Sequence, residues 1–219
     1  MSAPLWIKIC GLRTVEAIEA AAQAGADAVG FVFHESSPRH LEPSAARDLV
    51  ATVPAGLAKV AVFRHPSQTL VDAALDAIRP DWVQTDAEDL AALRLPAQVR
   101  ILPVYRTAGD VVARVTSRPA AWRRFLVESA QSGAAEVADW RAATALAGAG
   151  ELVLAGGLET GNVVAALAAV QPFGVDVSSG VESSRGVKDA ARIRAFIAVA
   201  RALSRGVAIA RGLTPVNFF

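Results

Sequence analysis

This chain has one cysteine, Cys10, so no internal disulfide can form, and that usage fits a reducing compartment. Histidine is nearly as scarce: there are three, and His34 and His40 lie near no Cys or acidic cluster at metal-ligand spacing. No metal is assigned. Neither charge sign dominates, with 22 Lys and Arg against 21 Asp and Glu and a net charge of +1. The concentrated basic excess of a nucleic-acid binder is absent. No apolar run approaches the roughly 20 residues that a membrane helix needs, and the first four residues are too short and polar for a signal peptide. The expectation is a soluble cytoplasmic protein without nucleic-acid or membrane partners.

What is present is apolar and repetitive. Hydrophobic residues make up 53% of 219, enough for one large core. Strand-like runs at 6–10, 28–33, 58–63, 82–84, 101–105, 125–128, 152–155 and 174–178 alternate with Ala-rich helical stretches. Those stretches lie at 15–24, 44–52, 68–78, 87–93, 110–116, 139–147, 161–170 and 189–203. Parallel strands joined by helical crossovers follow from this alternation. Eight similar units, with no GxGxxG turn after the first strand, favour a closed barrel over an open doubly wound sheet. The reading is an α/β fold, a single-domain (β/α)8 TIM barrel over residues 1–203. A tail of unknown role, 204–219, follows it, and no linker divides the chain.

Active sites of such barrels lie at the C-terminal strand ends. Two late strands run into small residues there: Leu154-Ala155-Gly156-Gly157-Leu158 and Gly174-Val175-Asp176-Val177-Ser178-Ser179-Gly180-Val181-Glu182. The loops that follow these strands can present backbone N–H groups to a phosphate, and ordinary turn glycines are the competing reading. On the first strand, alternation puts Lys8 and Cys10 on one face, and on the last it puts Asp176 and Ser178 together. Closure makes these strands neighbours, so a buried Lys8–Asp176 ion pair is expected beneath Cys10. The ammonium would favour a thiolate, usable as base or nucleophile; an inert buried cysteine is the competing reading. Arg39, just past Pro38 in the second loop, can clamp a carboxylate, and a solvated surface arginine is its plain alternative. Arg39 and Asp176 are the candidate substrate contacts. Glu128 ends the sixth strand, where partial desolvation would suit a general acid, or a rim glutamate could sit.

Several of these segments resemble one family. Lys8-Ile9-Cys10-Gly11, Ser37-Pro38-Arg39, Val83-Gln84, Leu154 to Leu158 with Asn162-Val163, and Gly174 to Glu182 with Gly186-Val187-Lys188-Asp189 are similar to motifs of the phosphoribosylanthranilate isomerases of tryptophan biosynthesis. The resemblance runs from Trp6 to about Leu203. It implies a cofactor-free Amadori rearrangement of a small phosphoribosyl substrate by a monomer or homodimer. Cys10 would remove the C2′ proton, Glu128 would protonate the ring oxygen, and Arg39 would hold the anthranilate carboxylate. Gly156, Gly157, Ser179 and Gly180 would bind the 5′-phosphate.

The chain departs from that family on the acid side. Glu128 stands in place of aspartate, one methylene or about 1.5 Å longer. Thr85-Asp86-Ala87 replaces Leu-His-Gly. Ser132-Gly133-Ala134-Ala135-Glu136 replaces a glycine-rich loop, and Ala138 precedes Asp139-Trp140 where a phenylalanine is usual. A barrel acting on another phosphosugar, or a non-catalytic phosphosugar binder, are the alternatives these changes raise.

Overall fold

The computed structural model describes residues 4–129 and 138–210, with side chains to Leu203. Eight parallel strands close into a barrel in chain order: β1 (Trp6–Cys10), β2 (Ala28–Val32), β3 (Ala58–Val62), β4 (Trp82–Asp86), β5 (Arg100–Arg106), β6 (Arg124–Glu128), β7 (Glu151–Leu154) and β8 (Gly174–Val177). Around them run α1 (Val15–Gln23), α2 (Pro43–Ala51), α3 (Gln68–Ile78), α4 (Val111–Thr116), α5 (Trp140–Leu146), α6 (Val163–Val170) and α7 (Ala190–Ala210). Caps explain several starts: the Thr14, Ser67, Asp110 and Asp139 side chains accept N–H bonds from the first turns of α1, α3, α4 and α5. No helix among the described residues is long and apolar enough to cross a membrane.

Strand alternation divides the core in two. Ile7 and Ile9 of β1, Val29 and Phe31 of β2, and Phe125 and Val127 of β6 face outward and pack beneath the helices. The opposite faces fill the barrel, where Trp6, Ala28, Val60, Trp82, Leu102, Val104, Leu126, Val153 and Ala155 form a separate cluster. Arg124 closes the N-terminal end of this interior. Its guanidinium lies 5.0, 4.9 and 4.4 Å from the ring centroids of Trp6, Trp82 and Phe173, and it pairs with Glu151 at 2.8 Å.

The elements differ from expectation at several places. The helix expected at 87–93 is only a 3-10 turn, Asp89–Ala92. Gln68 captures the chain just beyond it, accepting from the Arg94 N–H at 2.8 Å and donating to the Arg94 carbonyl at 3.1 Å. That leaves little chain to wind before β5 begins at Arg100. Strand β4 continues past Gln84 to Asp86, and β5 continues past Tyr105 to Arg106. An antiparallel hairpin, β9 (Glu182–Ser184) with β10 (Val187–Lys188), follows β8. Finally, α7 runs beyond Leu203 to Ala210, so the expected tail begins within a helix. The rest of the tail, 211–219, lies outside the described residues, as does the segment 132–136.

Replacing Arg124 with Ala leaves three rings and Glu151 without their shared cation. The expected loss is about 1–3 kcal/mol of unfolding free energy, read as a lower urea midpoint. Ligand affinity at the opposite mouth should be unchanged.

Candidate active site

The first and last strands meet as alternation requires. Lys8 pairs in register with Asp176, and its Nζ donates to Asp176 Oδ1 at 2.9 Å. Lys8 is fully buried and Asp176 nearly so. Burial alone would depress the lysine, but the Asp176 carboxylate and Cys10 outweigh it and leave the Lys8 pKa raised. The ammonium is therefore held charged inside the barrel.

Cys10 sits one inward position above Lys8 and is buried. Burial pushes the Cys10 thiol above its ordinary value of 9.0, outweighing the opposing pull of Lys8 and Lys188. Gly30 on β2 makes room for the pair. A Cβ there would lie 3.0 Å from the Cys10 sulfur and 3.1 Å from Lys8 Cε. A glycine inside Ala28-Val29-Gly30-Phe31-Val32 was the signal for that close approach.

Arg39 is neither solvated nor free to swing. It is 6% exposed, and Glu182 holds it side-on, with Nε to Oε1 at 2.7 Å and Nη2 to Oε2 at 2.9 Å. The other edge of the guanidinium, formed by Nη1 and the second proton of Nη2, has no partner among the described residues. Gly11, at φ +77°, allows the arginine stem to pass: a Cβ would meet Arg39 Cδ at 2.6 Å. Lys188 ties this network to β8, donating to Glu182 Oε1 at 2.7 Å and to the Ser178 carbonyl at 2.8 Å. The Ser178 hydroxyl in turn donates to the Cys10 carbonyl at 3.1 Å. In the sequence, Glu182 and Lys188 stand out only as parts of a motif. Their role depends on the hairpin, which folds the chain after β8 back over the mouth.

The glycine loops after β7 and β8 are brought side by side by a bridge between Glu159 and Gly180. Asn162 braces the first, donating to the Gly157 carbonyl at 2.8 Å and accepting from the Glu159 N–H at 2.9 Å. At two of these glycines, close loop packing is what forbids a side chain. A Cβ at Gly156 would meet Ser129 N at 2.7 Å, and one at Gly180 would run into the Leu158 carbonyl. Gly156 and Gly157 both have positive φ, at 90° and 59°.

Glu128 ends β6 on the interior face, three strands from β1 around the closed barrel through β7 and β8. Its Oε2 accepts from Arg106 Nη1 at 3.3 Å, and Arg106 Nη2 donates to Asp86 Oδ1 at 2.7 Å. Neither Asp86 nor Arg106 was foreseen, because each lies on a strand end drawn one or two residues short.

A mouth with cations at Lys8, Arg39 and Lys188, adjoining glycine loops and a carboxyl across from a thiol is chemically suited to a small anionic ligand at the C-terminal face of a (β/α)8 barrel enzyme. Residues 7–199 match the family model for N-(5′-phosphoribosyl)anthranilate (PRA) isomerase, and the chain belongs to that family. Relatives bearing the name N-(5′-phosphoribosyl)anthranilate isomerase include one from Pseudomonas paraeruginosa, 42% identical across 91% of this chain and 96% of its own. Another, from Geobacter sp., is 38% identical across 90% and 98%. Among solved structures, TrpF from Jonesia denitrificans is 34% identical, with a TM-score of 0.76 over 91% of this chain and 98% of that one. A phosphoribosyl anthranilate isomerase in complex with reduced 1-(o-carboxyphenylamino)-1-deoxyribulose 5-phosphate is 28% identical, with a TM-score of 0.74 over 90% and 99%.

Glu182 makes acid stability a test of the network. Burial works against its ionisation, but Arg39, Lys188 and the Gly186 N–H prevail and push its pKa from 4.5 down to about 2. A depressed carboxylate contributes stability that is full above about 4.5 and lost as pH falls towards 2, here about 3 kcal/mol. Urea midpoints measured from pH 6 to pH 2.5 should fall steeply in the native chain. In Glu182→Gln they should start lower and fall less.

Proposed function

We propose that this chain catalyses the Amadori rearrangement of N-(5′-phosphoribosyl)anthranilate to 1-(o-carboxyphenylamino)-1-deoxyribulose 5-phosphate. The observation that carries the reading is the cluster at the barrel's seam. A buried thiol sits over a charged Lys8–Asp176 pair, and a network of hydrogen bonds links it to an arginine with one open bidentate edge. A proton-abstracting group and a carboxylate clamp held in one rigid unit are what an aminosugar carrying an anthranilate requires.

In this reading Glu128 gives its proton to the ring oxygen. The C1′–O bond breaks, its electron pair goes to that oxygen, and the anthranilate nitrogen lone pair forms the Schiff base. Cys10, as thiolate, then takes the C2′ proton, and the C–H electrons form the C1′–C2′ double bond of the enolamine while nitrogen regains its lone pair. The enol proton leaves O2′ and a proton arrives at C1′, giving the aminoketone. Lys8 and Lys188 supply the positive charge that supports the thiolate, and Asp176 keeps Lys8 in place. The outer edge of Arg39 takes the anthranilate carboxylate. The N–H groups of Gly156, Gly157, Ser179 and Gly180 receive the 5′-phosphate, as the positive φ values at Gly156 and Gly157 favour. The chemistry needs an acid and a base and nothing else.

Cys10→Ser tests the assignment. Turnover of phosphoribosylanthranilate should fall by about 10²- to 10⁴-fold while affinity for the reduced product analogue changes little. Unchanged turnover would remove Cys10 from the reaction.

The raised thiol also sets a direction for pH. A base acts only when deprotonated, so kcat/KM, which reports the free enzyme, should climb with pH through a value above the usual 9.0 of a thiol. A profile flat from pH 7 to 10 would contradict that role.

A further inference from the structure

Three consecutive strands end in charged residues on the interior face: Asp86 on β4, Arg106 on β5 and Glu128 on β6. Alternation from the interior residues Trp82, Leu102, Val104 and Leu126 aims all three inward. The register aligns them across the ladders, Asp86 opposite Val104 and Arg106 opposite Glu128. Side-chain bonds then join them in a row, Asp86 to Arg106 at 2.7 Å and Arg106 to Glu128 at 3.3 Å. Asp86 is 4% exposed and so is a fixed anchor.

The backbone beneath Arg106 is fixed as well. Its carbonyl accepts from Arg114 Nη2 at 2.7 Å, and Arg114 Nη1 pairs with Glu88 at 2.8 Å. On the other side, the Thr107 N–H donates to the Glu128 carbonyl at 2.9 Å. Both ends of the Arg106–Glu128 contact are therefore tied to strand ends rather than to a loop. A planar guanidinium with one edge anchored on a buried carboxylate offers its remaining nitrogen in a set direction.

We propose that Arg106 is the positioning residue of the acid. Anchored by Asp86, it holds the Glu128 carboxyl in the geometry from which it protonates the substrate, and it compensates the carboxylate left behind. The inference rests on the isomerase reading above. The chemistry explains the need. A glutamate has one more rotatable bond than an aspartate, and a carboxyl free to turn about it would spend little time aimed at one oxygen. After the proton leaves, the negative charge remains in a partly buried site, where a guanidinium at hydrogen-bond distance stabilises it without moving. Arg106 acts through Glu128 and touches no reacting atom.

Charged and titratable groups face this unit from the neighbouring elements. Asp86 Oδ2 faces His65 Nε2 at 3.8 Å, and His65 Nδ1 pairs with Asp89 at 2.9 Å. Arg114 and Glu88 lie on the opposite side of Arg106. A change in the pH profile must therefore be read against the titration of His65, Asp89 and Glu88 as well as Glu128. A cycle of paired substitutions separates them.

The experiment uses the full chain with Arg106→Gln, Arg106→Lys, Glu128→Gln and the double variant Arg106→Gln/Glu128→Gln. Turnover of phosphoribosylanthranilate is followed from pH 6 to 10, with thermal unfolding to confirm that each variant folds. Arg106→Gln should lower kcat by about 10- to 100-fold with little change in KM, and Arg106→Lys should recover part of the loss. In the Glu128→Gln background, Arg106→Gln should have no further effect, because its partner's proton is already gone. Additive losses, or a native kcat and pH profile in Arg106→Gln, would overturn the proposal. Should Arg106→Gln fail to fold, Arg106→Lys paired with Glu128→Gln carries the same cycle. An unsubstituted chain without turnover would overturn the isomerase reading and this inference with it, whereas turnover with additive losses would overturn this inference alone.

Discussion

The arrangement of this mouth depends on one ammonium kept charged where no water reaches it. An unpaired lysine at that depth would cost several kcal/mol, so Lys8 and Asp176 are obligatory partners. Their pairing needs β1 and β8 hydrogen-bonded in the register that sets Lys8 opposite Asp176, which is also the last seam of the closed barrel. Gly30 serves the same constraint, because a Cβ there would crowd both Lys8 and the Cys10 sulfur. The closure of the fold and the placing of its thiol are thus a single packing problem.

A second network is built on top of the first and is held by charge rather than by strand pairing. Arg39 arrives from the loop after β2, Glu182 and Lys188 from the hairpin after β8, and Ser178 links them back to the Cys10 backbone. Gly11 and Gly186 let these loops interlock, with Gly186 passing so near Pro38 that a Cβ would lie 2.6 Å from its carbonyl oxygen. Across the mouth, Asp86, Arg106 and Glu128 form a third group on three adjacent strand ends. All three groups place charge where a rigid sheet or a braced loop fixes it, so little reorganisation is needed when a charged ligand arrives.

Much of this was legible in the residues. Period-two alternation in Trp6 to Cys10 and Gly174 to Ser178, together with closure, was enough to foresee the Lys8–Asp176 pair, because parallel neighbours place inward residues side by side. The eight strands were legible for the same reason. What was not legible depended on distance in sequence or on depth. Glu182 lies far along the chain from Arg39, and only the hairpin brings them together. The upward push on the Cys10 thiol comes from burial, and alternation does not report depth. Asp86 and Arg106 were lost to strand ends placed short, since a polar strand terminus resembles the start of a loop. The helix expected at 87–93 reads as helical by composition, and only the capture of Arg94 by Gln68 ends it after one turn.

The most direct measurement is to supply the purified chain with phosphoribosylanthranilate generated in situ and to follow the loss of anthranilate fluorescence, identifying the product by mass. Loss well above the rate of spontaneous hydrolysis, with the aminoketone as product, is the predicted result, and it would show that a glutamate acid serves here. Loss no faster than hydrolysis, with the reduced product analogue still binding, would contradict it: the mouth would then be a phosphosugar-binding site that does not isomerise this substrate.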